Sequence, residues 1–271
     1  MTLTSLEIKD KSFATKFRGY NVEEVDEFLY GAKVTNVRRR AKVLIIDFDS
    51  EYSLVAHLKM TGQMIFRGEK IFAGGHPTDS LIGELPDRST RVQIDFTDDT
   101  RLFFNDQRKF GWLKLIPTVE IKNMPFMQKV GPEPLDKKTT AEEFISRIRR
   151  RNNSLIKPAL LDQSTIAGVG NIYADESLFL SGILPNRPAA GLKEKEIRAL
   201  CANIKKVLRT SIELGGSSRQ DYVNAIGQKG DYLDQAYVYG RTGEPCRTCG
   251  RPIEKIKLAG RGTHFCRGCQ K

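Results

Sequence analysis

The chain has 271 residues, room for one large domain or two to three small ones with a real core. No apolar run is long enough to span a bilayer, and the start from Met1 to Asp10 lacks the basic-then-apolar pattern of a signal peptide; the expected compartment is the cytoplasm, where disulfides are rare and paired cysteines more often hold metal. A formal net charge of +11 says nothing about fold but predicts attraction to polyanions.

Residues 1–118 read as β-rich. The runs "KVLIIDF", "YSLVAHL", "RVQIDFT" and "TRLFFND" are β-branched or aromatic and are broken by polar turns. Asn21 to Tyr30 is expected as a short helix with Val22, Val25, Phe28 and Leu29 on one face. This spacing predicts a sandwich or barrel with a helix attached. Gly68–Asp87, rich in turn formers, is expected to be a surface excursion. "NDQRKFGW" closes the β part; with Arg, Lys, Phe and Trp side by side, it fits either an edge strand with an aromatic packed inward or an exposed Phe beside an Arg, able to wedge a base stack.

Residues 119–139 are expected to be a linker and include the proline-containing "GPEPLDKKTT". Helices follow over 140–239. Thr140 with Glu143 three residues on is a capping-box pattern, and Gly215-Gly216 ends the last helix. "GVGN" places glycines between two helices. No strand leads into it, which excludes a dinucleotide fold. It is either a tight interhelical corner or a phosphate grip made by the amides around Asn171. Cys201 is expected to be a packed core thiol.

The remaining four cysteines lie in the last 31 residues, 240–271 being a separate module. Cys246 and Cys249 form one C-x-x-C pair and Cys266 and Cys269 the other, at the spacing of a structural zinc ribbon. Four thiolates leave no open coordination position, so the ion folds the segment and does no chemistry. Pro252–Leu258 and Thr263–Cys266 are expected as the strands of a hairpin with Arg261 at its tip. Residues 241–271 hold eight Lys/Arg against two Glu, a net of +6 and more than half of the total excess. Clustered on a metal ribbon, this charge favours nucleic acid over a merely solvated face.

Together these stretches resemble the bacterial formamidopyrimidine-DNA glycosylases, which are similar in fold to endonuclease VIII. The matching segments are "VRRRAK" (37–42), "HLKMTG" (57–62), "NDQRKFGW" (105–112), "GPEPL" (131–135), "IKPALLDQ" (156–163), "GVGNIYADESLF" (168–179), "VYGRTGEPC" (238–246) and "AGRGTHFCRGCQ" (259–270). The resemblance implies an α+β protein: an N-terminal β-sandwich domain, a helix-two-turns-helix domain with a lesion-capping loop at 216–232, and a C-terminal zinc finger carrying one structural Zn2+. It implies a base-excision-repair glycosylase and AP lyase acting on 8-oxoguanine and formamidopyrimidines in damaged double-stranded DNA, as a monomer with no membrane partner. Met60, Arg108 and Phe110 correspond to the residues that fill the hole left by an extruded base and wedge the stack, with Arg108 on the orphaned cytosine. Lys42, Lys157, Asn171, Tyr239 and Arg261 correspond to phosphate contacts around the lesion.

One family feature has no counterpart. Family members begin with a Pro-Glu motif whose proline is the nucleophile and whose glutamate is the general acid/base. The present sequence contains no Pro-Glu-Leu-Pro, and Glu7 belongs to a strand pattern instead. No catalytic residue is therefore assigned. The segment holding that motif is expected to be missing from a truncated copy of an ordinary enzyme, leaving little glycosylase chemistry. The alternatives are a non-catalytic binder of damaged DNA on the same scaffold, an endonuclease VIII-like enzyme for oxidised pyrimidines, or a basic zinc-ribbon protein for RNA.

Overall fold

Runs rich in Val, Ile and Phe become antiparallel strands because branched and aromatic side chains pack well on a pleated surface. The structure is a computed structural model that describes residues 1–9, 28–69, 71–76, 83–217 and 230–271. These residues fall into two units, one within 1–128 and one made of 129–217 and 230–271.

In the first unit the strands are β1 (Leu3–Ile8), β2 (Val34–Arg40), β3 (Val43–Phe48), β4 (Tyr52–His57), β5 (Gly62–Arg67), β6 (Phe72–Gly75), β7 (Thr90–Phe96), β8 (Arg101–Asp106) and β9 (Trp112–Pro117). They form two antiparallel sheets, ordered β1-β7-β8-β5-β6 and β2-β3-β4-β9. The expected sandwich results. Leu3, Leu6, Val92, Ile94, Phe96 and Phe104 of one sheet share a core with Ile46, Phe48, Leu54, Leu113 and Leu115 of the other. The outer face of the smaller sheet, Val43, Ile45 and Val55, is covered by Ile121 from a 3-10 turn at Thr118–Asn123 and by Met124, Phe126 and Met127 around α1 (Pro125–Lys129).

Two expectations need adjustment. Of the helix expected at Asn21–Tyr30, residues 21–27 lie outside the described residues; Leu29 is buried in the sandwich core and Phe28 stacks on Tyr52 at 4.3 Å. The 68–87 segment is not simply a surface excursion, because it supplies edge strand β6 paired with β5. Its glycines made it look like a turn. Their physical use is close approach: a Cβ on Gly75 would lie 2.2 Å from the Gly62 carbonyl oxygen.

The second unit is helical up to its C-terminal hairpin. Thr140 caps α2 (Ala141–Arg149), accepting the Glu143 amide at 3.2 Å. α3 (Ile156–Leu161), α4 (Asn171–Leu180) and α5 (Glu194–Glu213) follow. Phe144, Ile148, Ile156, Leu160, Val169, Leu178, Ile197 and Leu200 make their common core, with Cys201 buried among them as expected. Helix α4 is buried continuously from Ala174 to Phe179, although that stretch includes Asp175 and Glu176. The hairpin strands are β10 (Glu254–Leu258) and β11 (Arg261–Phe265). Ala259 (φ 47°) and Gly260 (φ 76°) alone form the turn, the double left-handed signature of a tight hairpin. Arg261 therefore begins the returning strand beside the apex. Phe179 of α4 packs with Cys246, Ile253 and Cys266, which seats the hairpin on the helices.

Candidate nucleic-acid interface

Three turns of the first unit carry sequence-predicted contact residues, and they share a backbone device. Lys42, Met60 and Phe110 each directly follow a non-glycine residue in the left-handed region: Ala41 (φ 53°), Lys59 (φ 53°) and Lys109 (φ 56°). Such residues cost about 1–2 kcal/mol each and cluster where a side chain must be aimed. Met60 is 46 % exposed and Phe110 51 %. Phe110 is thereby the exposed aromatic of "NDQRKFGW", while Trp112 opens edge strand β9 and packs against the outer face of its sheet. The Arg108 guanidinium lies 4.6 Å from the centre of the Phe110 ring, and its Nη1 is 3.6 Å from Met60 Sδ. The three residues thus form one exposed cluster of thioether, cation and aromatic ring.

His57, at the foot of the Met60 turn, accepts the Lys59 amide at Nδ1 (3.0 Å). Burial, with help from the cations Lys59 and Lys42, holds its pKa down at about 4. A neutral imidazole is thus built into the turn, and the charge offered to a polyanion comes from Lys42, Lys59 and Arg108.

The other predicted contacts meet in the second unit around the hairpin. Gly262 O accepts from Lys157 Nζ at 3.1 Å and from Asn171 Nδ2 at 3.0 Å. Lys157 also donates to Thr263 Oγ1 at 2.8 Å and pairs with Asp175 Oδ1 at 2.6 Å. Asp175 Oδ2 accepts the His264 amide at 2.9 Å, and the His264 ring meets the Tyr239 ring edge-on at 4.8 Å. Glu176 accepts the amides of Tyr237, Val238 and Tyr239 at 2.8 to 2.9 Å. Burial raises its pKa against the pull of those three bonds. Burial likewise lowers the pKa of Lys157, opposed by Asp175. Two carboxylates on one buried helix turn therefore hold the bend at Tyr237–Tyr239 before the zinc module and the returning strand of the hairpin.

Lys157 is not at the surface, where the family resemblance put a phosphate contact. It is wholly buried, with its ammonium group held by Asp175, Thr263 and the Gly262 carbonyl. Arg261 is exposed next to that junction, Tyr239 is half-buried, and Asn171 opens α4, whose first turn contains no acidic residue. The expected corner is present too: Gly168 (φ 78°) donates to Gln163 Oε1 at 2.9 Å, and Gln163 Nε2 donates to the carbonyls of Leu161 and Val169. Sequence reasoning passed over Asp175, Glu176 and His264. The available signal was two adjacent acids inside the otherwise apolar "YADESLFL". The capping loop expected at 216–232 has its residues 218–229 outside those described.

Cys246, Cys249, Cys266 and Cys269 bring their sulfurs within 4.8 Å of one another. The pairs Cys246–Cys269 and Cys249–Cys266 stand at 3.8 and 3.4 Å. Four sulfurs about 2.3 Å from one tetrahedral ion would stand about 3.8 Å apart, so the set fits zinc. Packed against one another, the thiols titrate as a set. Burial works against ionisation of Cys246, Cys266 and Cys269, yet the Cys249 and Thr248 amides bring the pKa of Cys246 down to about 7, while burial and the neighbouring sulfurs push Cys266 and Cys269 up. The protein carries one structural zinc here.

Comparison with known proteins agrees with this geometry. The formamidopyrimidine-DNA glycosylase N-terminal domain matches residues 1–113, the H2TH domain of the same proteins matches 130–223, and the zinc finger found in FPG and IleRS matches 243–271. Because the N-terminal match begins at residue 1, it gives no support to the expectation of a missing leading segment. The formamidopyrimidine-DNA glycosylase of an Exiguobacterium species is 40% identical over 270 residues, covering 100% of this chain and 92% of that protein. That of Herpetosiphon aurantiacus is 43% identical over 238 residues, covering 88% and 81%. Among solved structures, Lactococcus lactis Fpg in complex with DNA containing an abasic site superposes with a TM-score of 0.85 at 33% identity, covering 100% of this chain and 92% of that one. The same enzyme bound to DNA containing N7-benzyl-Fapy-dG gives the same values. The chain belongs to the formamidopyrimidine-DNA glycosylase family.

Proposed function

We propose that the chain is a base-excision DNA glycosylase that finds oxidised purines, 8-oxoguanine and formamidopyrimidines, in duplex DNA by extruding the damaged nucleotide. The observation that carries this reading is the exposed cluster of Met60, Arg108 and Phe110 on turns whose backbone aims them outward. Extruding a base costs a few kcal/mol of stacking and pairing, and inserted side chains offset part of it. Met60 takes the vacated space, Phe110 enters the stack, and Arg108 turns its fork of donors to the unpaired cytosine.

Lys42, Asn171, Tyr239 and Arg261 hold phosphates around the lesion and carry no sequence information. Lys157 serves them from behind, fixing the Gly262 carbonyl and Thr263 beside Arg261. The zinc, when bound, supplies folding energy for the hairpin and no chemistry. The protein acts as a cytoplasmic monomer. Within these 271 residues no Pro-Glu-Leu-Pro occurs, so no side chain here is assigned as nucleophile or general acid.

Binding tests the reading. The chain should prefer a duplex with an abasic-site analogue opposite cytosine over the undamaged duplex. Phe110→Ala should weaken the lesion duplex about tenfold, in line with the removal of one stacked ring, and leave undamaged duplex nearly untouched. Equal weakening on both duplexes would show that Phe110 is not a wedge.

A further inference from the structure

Beneath the exposed cluster lies a buried link between its two turns. Asp106, at the end of β8, is fully buried. Its Oδ1 accepts the hydroxyl of Thr61, the residue after Met60, and its Oδ2 accepts the Gly111 amide, the residue after Phe110, at 2.6 Å. Thr61 Oγ1 in turn accepts the Arg108 amide at 3.1 Å. Asp106 is itself held from behind, its carbonyl accepting Arg91 Nε at 2.8 Å. The fit at Gly111 is tight: a Cβ there would come within 3.0 Å of Asp106 Oδ2 and of Phe104 Cζ. Any side chain there would require the Asp106 carboxylate or the Phe104 ring to give way.

We propose that Asp106 and Thr61 are positioning residues for damage recognition, locking the Met60 turn and the Arg108–Phe110 turn into one rigid probe. The inference rests on the cluster's reading as the lesion-sensing element. A buried carboxylate satisfied by two donors from different turns is costly to disturb, because any displacement strands a charged acceptor away from water. Neither turn moves alone. Filling the space of the lost base and wedging the stack therefore happen as one event, with the ordering of both turns completed before DNA arrives. An undamaged pair, which resists extrusion, then meets a probe that cannot yield part-way.

The test compares Thr61→Val with Thr61→Ser in the full chain, reading the ratio of affinities for an abasic-analogue duplex and the undamaged duplex. Valine keeps the shape of threonine but strips Asp106 Oδ1 of its donor and the Arg108 amide of its acceptor; serine restores both. The ratio should fall about tenfold in Thr61→Val, the scale of one buried hydrogen bond to a charged group, and return in Thr61→Ser. An equal loss on both duplexes means that Thr61 only supports the fold and overturns the proposal. An unchanged ratio in Thr61→Val, with a fall in Phe110→Ala, overturns the link and leaves the wedge standing. If neither substitution moves the ratio, the wedge reading fails and the link falls with it. Should the valine variant not fold, hydrogen exchange on the unaltered protein decides: protected Arg108 and Gly111 amides support the link, and exchange at open-loop rates overturns it.

Discussion

His57 shows how one side chain ties the turn of Met60 to pH. Its Nδ1 accepts the Lys59 amide, its ring lies among Trp112 and Phe126, and its pKa is about 4 where an exposed histidine has about 6.5. The unfolded chain therefore takes up a proton before the folded one as pH falls. The contribution of neutral His57 to stability is complete above about 6.5 and is lost as pH drops from there to about 4. Asparagine is the informative replacement, since its Oδ1 can accept the same amide without titrating. Thermal unfolding measured from pH 7 to pH 4 should show a shallower fall in Tm for His57→Asn than for the parent. Parallel curves would mean that His57 titrates normally in the folded protein. None of this was legible in the sequence. "HLKMTG" pointed to Met60 through family resemblance, but a histidine's protonation state depends on what packs over it.

At the scale of elements, the hairpin carrying Arg261 spends conformational energy at its apex. Ala259 and Gly260 both take left-handed φ, and only the second is a residue for which that is cheap. Asparagine tolerates the left-handed region, and Asn-Gly is the preferred pair for this turn. Ala259→Asn should stabilise the hairpin by about 1 kcal/mol. Because zinc binding and hairpin folding are linked, the gain should appear as an apparent zinc affinity about fivefold higher in competition with a chelator. No change would place the hairpin's strain elsewhere. The metal site was fully legible from two C-x-x-C pairs at ribbon spacing, and the strands from their branched and aromatic runs, because those signals are local. What spacing could not give was the junction. Lys157 and Gly262 are 105 residues apart, and nothing local in "IKPALL" says that its lysine turns inward to a carboxylate. Likewise, Gly-rich "FAGG" looked like a turn because the use of its glycines, close approach to another strand's backbone, is invisible along the chain.

At the scale of the whole molecule, charge and metal act together. The last 31 residues hold a net +6 of the total +11, on a module too small to fold without its ion. The module is also joined to the helices: Lys157, Asp175 and Asn171 find their partners on residues 262–264. Removing zinc therefore does more than release a tail. It leaves a buried lysine–aspartate pair without the hydroxyl, carbonyl and amide that complete it, a state that buried ions tolerate poorly. Chelation should lower duplex affinity and flatten its salt dependence by about one unit for each phosphate that the module no longer holds, and Arg261→Ala alone should take away about one such unit. The β unit offers an internal control, because the chain's single tryptophan is Trp112, on β9 in the other unit. Its emission and melting profile should stay the same after chelation, while far-UV circular dichroism reports a loss of helix earlier in the melt. A coincident shift of the Trp112 transition would mean that the metal stabilises the chain as a single cooperative block, and that the hairpin's hold on Lys157 and Asp175 is not where its influence ends.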